Sequence, residues 1–211
     1  MHSEIERAVA GKVAASIRAS GNAFCRVTFA ICSRTPRPEQ MTETTKDTGG
    51  CGTALATDEQ ALDVLFEIFK QQVPKTSARF LSLAQSGQYD GCPVHRVVAG
   101  GWIQCGDIVD GSGANSGTST VLGEPETFAV KHDAPGVLGA CHAASGEGGS
   151  QFYVTLKPLQ PFDGKFVAFG RSVMGSASLL DLLQRNRGLC DENTQRPIRD
   201  TFVVKKMVVF C

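Results

Sequence analysis

His95-Arg96-Val97-Val98-Ala99-Gly100-Gly101-Trp102-Ile103-Gln104-Cys105-Gly106-Asp107 is the stretch on which the reading of this chain turns. The apolar runs Val94–Val98 and Trp102–Cys105 read as two short strands on either side of a Gly-Gly pair. A His-Arg pair alone would carry no information. Two further blocks follow in order downstream. The first is Lys131-His132-x-x-Pro135-Gly136-Val137-Leu138, continued by Gly149-Ser150-Gln151-Phe152-Tyr153-Val154-Thr155. The second is Phe162-Asp163-Gly164-Lys165-Phe166-Val167-Ala168-Phe169-Gly170.

The elements around these blocks are legible from periodicity. Phe24 to Ile31 sets Phe24, Arg26 and Thr28 against Cys25, Val27, Phe29 and Ile31, the alternation of a strand. Ala61 to Phe69 predicts a second strand. Val73-Pro74-Lys75-Thr76 opens a helix with Pro in the first turn, where the missing N–H is harmless. Ala78, Phe80, Leu81, Leu83 and Ala84 are its expected buried face, and Gly87 ends it. Val137–Ala143, Gln151–Thr155, Val167–Arg171 and Thr201–Phe210 predict further strands, and Ser176–Arg185 a second helix. Regular strands with two helices predict a mainly β fold, a closed barrel capped by the helices.

Two segments lie outside this pattern. Ile5, Val9, Val13 and Ile17 form one narrow stripe, so residues 1–20 read as an amphipathic helix, with Ser3 and Glu6 placed for a capping box and Gly21-Asn22 as its stop. It either docks on its own domain or binds a partner. Residues 33–58, with Arg34-Thr35-Pro36-Arg37-Pro38 and a Thr/Gly-rich run, break all periodicity between the first two strands. An insertion of this length is a spacer or a partner contact.

Composition narrows the function classes. The chain has 211 residues and a net charge of zero, so one domain with attachments is expected and nothing argues for an electrostatic nucleic-acid footprint. No apolar run reaches membrane-spanning length, and the N-terminus lacks a secretory signal's apolar region. The eight cysteines are scattered with no Cys-x-x-Cys, as for reduced apolar residues in a reducing compartment. Cytoplasm is the expected location, with nuclear and ciliary or cytoskeletal settings open. Cys141-His142 is a poor chelate, because neighbours on a strand face opposite ways. The Gly-rich run at 111–117 lacks the Lys-Ser/Thr ending of a phosphate loop. No metal and no cofactor is expected.

Taken together, the three blocks resemble the cyclophilins, the peptidyl-prolyl isomerases whose signature runs His-Arg-(apolar)-(apolar)-Pro-Gly-Phe-(apolar)-x-Gln-Gly-Gly-Asp. The resemblance covers roughly residues 24–210. It implies a closed eight-stranded antiparallel barrel capped by two helices over residues 23–211, with 1–22 an extension and about 33–58 an insertion in the first hairpin. It implies an X-Pro peptide as ligand. By position, Arg96 is the catalytic donor, with His95 beside it. Gln104 orients the arginine, and Gln151 lies at the groove. Tyr153 stands where the family has Phe in the proline pocket. Cys141 and Ala143 match small groove residues, and His142 takes the place of an Asn that binds through its backbone.

Departures bear on activity. Gly101 replaces the Phe of the pocket floor, and Trp102 follows where the family has Met or Leu. One residue along a strand changes the face, so Trp102, counted with the substrate-binding residues, replaces the lost Phe only if Gly100-Gly101 permit a bulge. Pro161 replaces a Trp or His at the rim, Phe162 a Leu of the pocket, and Phe166 a His. Pro161 and Gly101 predict a loss of affinity for cyclosporin, the cyclic peptide that inhibits typical members. The expected activity is prolyl isomerisation. The alternative is a weak or inactive module, a structural or interaction subunit of a larger assembly (ciliary, cytoskeletal or ribonucleoprotein) reached through residues 1–20 and 33–58.

Overall fold

The structure, a computed structural model, describes residues 11, 14–17, 19–32, 59–114, 126–142, 148–198 and 201–211. Most of the predicted N-terminal helix with its capping box, the whole of 33–58 and Ala143 lie outside the described residues.

Eight strands close into an antiparallel barrel. They are β1 (Ala23–Cys32), β2 (Glu59–Ile68), β3 (Cys92–Val98), β4 (Trp102–Cys105), β5 (Val137–His142), β6 (Gly148–Thr155), β7 (Ala168–Met174) and β8 (Thr201–Phe210). Their order around the barrel is β1-β2-β7-β5-β6-β4-β3-β8. The hairpin β1–β2 runs unbroken from Ala23 opposite Ile68 to Cys32 opposite Glu59. This is the first hairpin that the resemblance implies, with residues 33–58 between its strands. The lining is apolar: Val27, Phe29, Val64, Phe66, Ile103, Val154, Phe169 and Val204 are buried.

Two helices cap the barrel, α1 (Pro74–Gln85) and α2 (Ser176–Arg185). Phe80 of α1 packs on Phe152, Phe169 and Tyr89, with ring centroids 5.1–5.5 Å apart. The buried face of α1 is Thr76, Ser77, Phe80, Leu81 and Ala84. The expectation is corrected here: Ala78 is exposed and Leu83 only half-buried, because the face turns toward the first helical turn. The orphan amides of that turn are capped from afar. Glu126 accepts from the N–H of Lys75 (2.7 Å) and of Thr76 (3.0 Å). Leu179 and Leu182 are the buried residues of α2. Two 3-10 turns, Gln160–Phe162 and Arg187–Leu189, escaped the sequence reading. Three residues are too few to show a period.

The end of the N-terminal helix touches the barrel. Ile17 packs against the cluster of Phe24 and Leu65, as Phe210 does. This explains why Phe24, on the nominally outer face of β1, is buried.

Candidate functional site

The site grows from the β3–β4 hairpin. Arg96 lies opposite Gln104, Val97 opposite Ile103, and Val98 opposite Trp102. Between Val94 and Arg96 the register shifts, so His95 is the extra residue of a β-bulge. Val94 therefore points into the core while Arg96, two residues on, points out.

Trp102 shares the outward face with Arg96 and Gln104. The Arg96 guanidinium carbon sits 5.3 Å from the indole centroid, a cation–π contact. Trp102 thus lies on the side of Arg96 without a bulge at Gly100-Gly101. Gly100, with a φ of 61°, and Gly101 form the turn, and the strand begins only at Trp102. The face is fixed by pairing from Trp102 onward, and the bulge lies at His95 rather than at Gly100-Gly101.

Arg96 is held by a residue that the sequence reading missed. Its Nε donates to the Gln195 side-chain oxygen at 2.8 Å. Gln195 is the one non-glycine with a left-handed backbone among the described residues, at a φ of 58°. Its carbonyl accepts from Val97 N–H (2.8 Å), and its own N–H donates to the Asp191 carbonyl (2.7 Å). The 190–198 loop is thereby fastened along β3. Gln104, expected to orient the arginine, instead donates to the Gln151 side-chain oxygen at 2.7 Å. Gln151 in turn donates to the Gly113 carbonyl at 3.3 Å. No local pattern marked Gln195, because its bond to Arg96 spans 99 residues.

Beside the arginine stands an aromatic wall. Phe162 is its centre: ring centroids lie 5.1 Å from Trp102, 5.4 Å from Tyr153, 4.8 Å from Phe166 and 5.7 Å from His132. Phe166 also meets Tyr153 edge-on at 5.9 Å. The turn carrying Phe162 and Phe166 is tied down by Leu159 N–H donating to the His132 carbonyl at 2.7 Å and Phe166 N–H to the Phe162 carbonyl at 3.0 Å. Pro161, in that turn, is exposed and offers no side-chain donor.

Behind the wall lies a buried relay. Asp163 Oδ1 accepts from the His132 backbone N–H (2.8 Å) and meets His132 Nδ1 at 2.9 Å. His132 Nε2 meets the Tyr153 hydroxyl at 2.6 Å. With the carboxylate fixing the proton on Nδ1, Nε2 accepts and Tyr153 donates. The two bonds from His132, backbone first, hold Asp163 below the usual carboxylate range. Burial drives the Tyr153 hydroxyl far above the usual tyrosine range, so it stays protonated. Room for the ring comes from Gly139, where an added Cβ would collide with the Tyr153 phenol. His132 stood within a quoted block, but its two partners are distant in sequence.

The remaining expected residues fall nearby. Cys141 sits on β5 as a free thiol, pushed up to about 12 by burial. His142 closes β5 opposite Gly148. His95 is buried beneath Gly113, and neither of its ring nitrogens makes a hydrogen bond. Burial lowers its pKa, while Asp107 and the neighbouring Gln151 amide oppose that shift.

This geometry can be set beside known proteins. A family profile described as "Cyclophilin type peptidyl-prolyl cis-trans isomerase/CLD" matches residues 53–209. A Bos taurus protein named "Probable inactive peptidyl-prolyl cis-trans isomerase-like 6" is 37% identical over 153 residues, 66% of this chain and 48% of that protein. The Homo sapiens protein of the same name is 37% identical over 148 residues, 64% of this chain and 45% of its own. The chain thus spans about half the length of these two relatives. An Arabidopsis thaliana protein, "Peptidyl-prolyl cis-trans isomerase CYP18-2", is 31% identical over 144 residues, 68% of this chain and 85% of that protein. Among solved structures, a cyclophilin type isomerase of Cryptosporidium parvum superposes with a TM-score of 0.60 at 28% identity, over 71% of this chain and 93% of that one, in a crystal structure obtained in the presence of the dipeptide Ala-Pro.

Proposed function

The chain belongs to the cyclophilin-type peptidyl-prolyl cis-trans isomerase family, and from that premise we propose that it binds X-Pro peptides of client proteins and speeds their isomerisation with Arg96. Twisting the bond costs roughly 18–20 kcal/mol, because amide resonance is lost. A catalyst need only hold the ring and draw the nitrogen lone pair out of conjugation. The aromatic wall of Trp102, Phe162 and Phe166, backed by the buried Tyr153, supplies an apolar surface for the ring. Arg96 supplies a permanent cation with a fork of donors for the prolyl nitrogen. The observation that carries this reading is the fixed arginine: bonded to Gln195 through Nε and lying over Trp102, it enters the reaction already oriented.

Replacing Arg96 by Ala is expected to lower kcat/KM on a short Ala-Pro peptide by about 10²–10³-fold, the cost of one preorganised donor. Equal rates for the variant and the wild type would remove Arg96 from the mechanism.

A second reading keeps peptide binding without catalysis. The names of the two mammalian relatives favour it, as do Gly101 and Pro161. In this reading residues 1–22 extend the barrel of 23–211, and with 33–58 they attach it to a larger assembly. Ile17 anchors the extension while Ala15 and Ser16 stay exposed. The seven described cysteines are free thiols, which suits a reducing compartment such as the cytoplasm. Calorimetric binding of an Ala-Pro peptide with no rate enhancement selects this second reading.

A further inference from the structure

On the side of Arg96 away from the aromatic wall lies a polar cavity of about 440 Å³. His95, Arg96, Gln104, Asn193, Thr194 and Arg196 line it. From its lining we infer that this cavity receives an anionic side chain, a carboxylate or a phosphorylated residue, of the peptide whose proline lies in the neighbouring groove. The inference rests on the prolyl-peptide reading above and adds a charge preference to it.

Its lining carries two permanent cations and amide or hydroxyl groups, with no acidic residue among them. Arg96 spends only Nε on Gln195, so its terminal amino groups carry no hydrogen bond to a described residue. Arg196 spends one amino group on the Ser112 carbonyl, at 3.0 Å. Neither guanidinium pairs with a carboxylate among the described residues. The acidic groups close by are turned elsewhere. Asp191 accepts from Asn193 N–H (2.9 Å) and Thr194 N–H (2.7 Å), and with Glu192 it lines the separate cleft against α2. Asp107, buried beneath, accepts from Val109 N–H (3.1 Å) and Gly113 N–H (2.8 Å).

His95 is also among the lining residues. It is 8% exposed, with both ring nitrogens buried and the Asp107 carboxylate and the Gln151 amide beside it. A ligand carboxylate or phosphate oxygen accepts from the guanidinium groups of Arg96 and Arg196 together.

The test uses blocked peptides with an Ala-Pro core, carrying Glu, phosphoserine or Gln in turn at the two positions before the core and the two after it. Binding to the full chain is measured at low and at high salt. At one position the acidic peptide is expected to bind about tenfold more tightly than its Gln counterpart, with the advantage shrinking at high salt. In R196Q that advantage is expected to vanish while the Gln peptide still binds. Equal affinity of acidic and Gln peptides at every position overturns the inference and leaves the prolyl-peptide reading intact. If no peptide binds, that reading fails, and titration with inorganic phosphate tests the cavity by itself. Saturable shifts of the His95 ring resonances, lost in R196Q, retain the anion site, and their absence overturns it. Phosphate binding without any preference among bound peptides assigns a free-anion site and overturns the peptide subsite.

Discussion

The two walls that flank Arg96 are built in opposite ways. One side is ring against ring, where Phe162 touches Trp102, Tyr153, Phe166 and His132. The other is the 190–198 loop, joined to Arg96 by a single side-chain hydrogen bond. Apolar packing is non-directional and shared among many contacts, so identities can drift while volume is kept. Gly101, Trp102 and Phe166 show such redistribution: aromatic mass has left one position and appeared at others. A hydrogen bond has one donor and one acceptor, so the polar wall has no substitute for Gln195.

The largest effect that tests this contrast lies where the aromatic wall is itself polar. Tyr153→Phe leaves His132 Nε2 buried without its donor, which is expected to cost about 1–3 kcal/mol in urea unfolding. A neutral result would show that the relay is packing alone. Its other end has a pH signature. The depressed Asp163 contributes stability that is fully present above the ordinary carboxylate pKa of about 3.9 and is lost as pH falls through its lower folded value. Asp163→Asn is expected to flatten that acid-side loss.

Cyclosporin comes next. Because Trp102 faces the groove, the missing floor aromatic at Gly101 is partly replaced, and the rim donor absent at Pro161 becomes the main deficit. One lost hydrogen bond of about 1–3 kcal/mol predicts affinity about one to two decades below that of a member with a rim indole, measured by calorimetry. Undiminished affinity would mean that the aromatic wall has replaced the rim as well.

The smallest effect belongs to the polar wall. Gln195→Ala removes one bond of about 0.5–1.5 kcal/mol and is expected to slow isomerisation about three- to tenfold with thermal stability almost unchanged. A loss as large as that of Arg96→Ala would make orientation, rather than charge, the dominant contribution.

Much of the barrel was legible because β1 alternates and the other strands are short apolar runs between turn residues, while both helices carry apolar stripes. Arg96, Gln104 and Tyr153 were legible through their blocks. What escaped depends on contacts across the fold. The Arg96–Gln195 bond joins distant segments, and Tyr153–His132–Asp163 draws its members from three places. How Trp102 comes to the outward face also escaped, because cross-strand pairing with Val98 sets it and not a bulge at Gly100-Gly101.

The bulge at His95 sets a constraint of another kind. Val94 and Arg96 are two apart yet face opposite ways, so the strand's inside–outside count is offset by one at a single point. A substitution there leaves the count alone. One residue gained or lost between Val94 and the turn would reverse the facing of everything on one side of the change, sending a guanidinium inward or a valine outward. Along this strand, length changes must therefore arise in compensating pairs, and its residue number should drift far more slowly over descent than its residue identities.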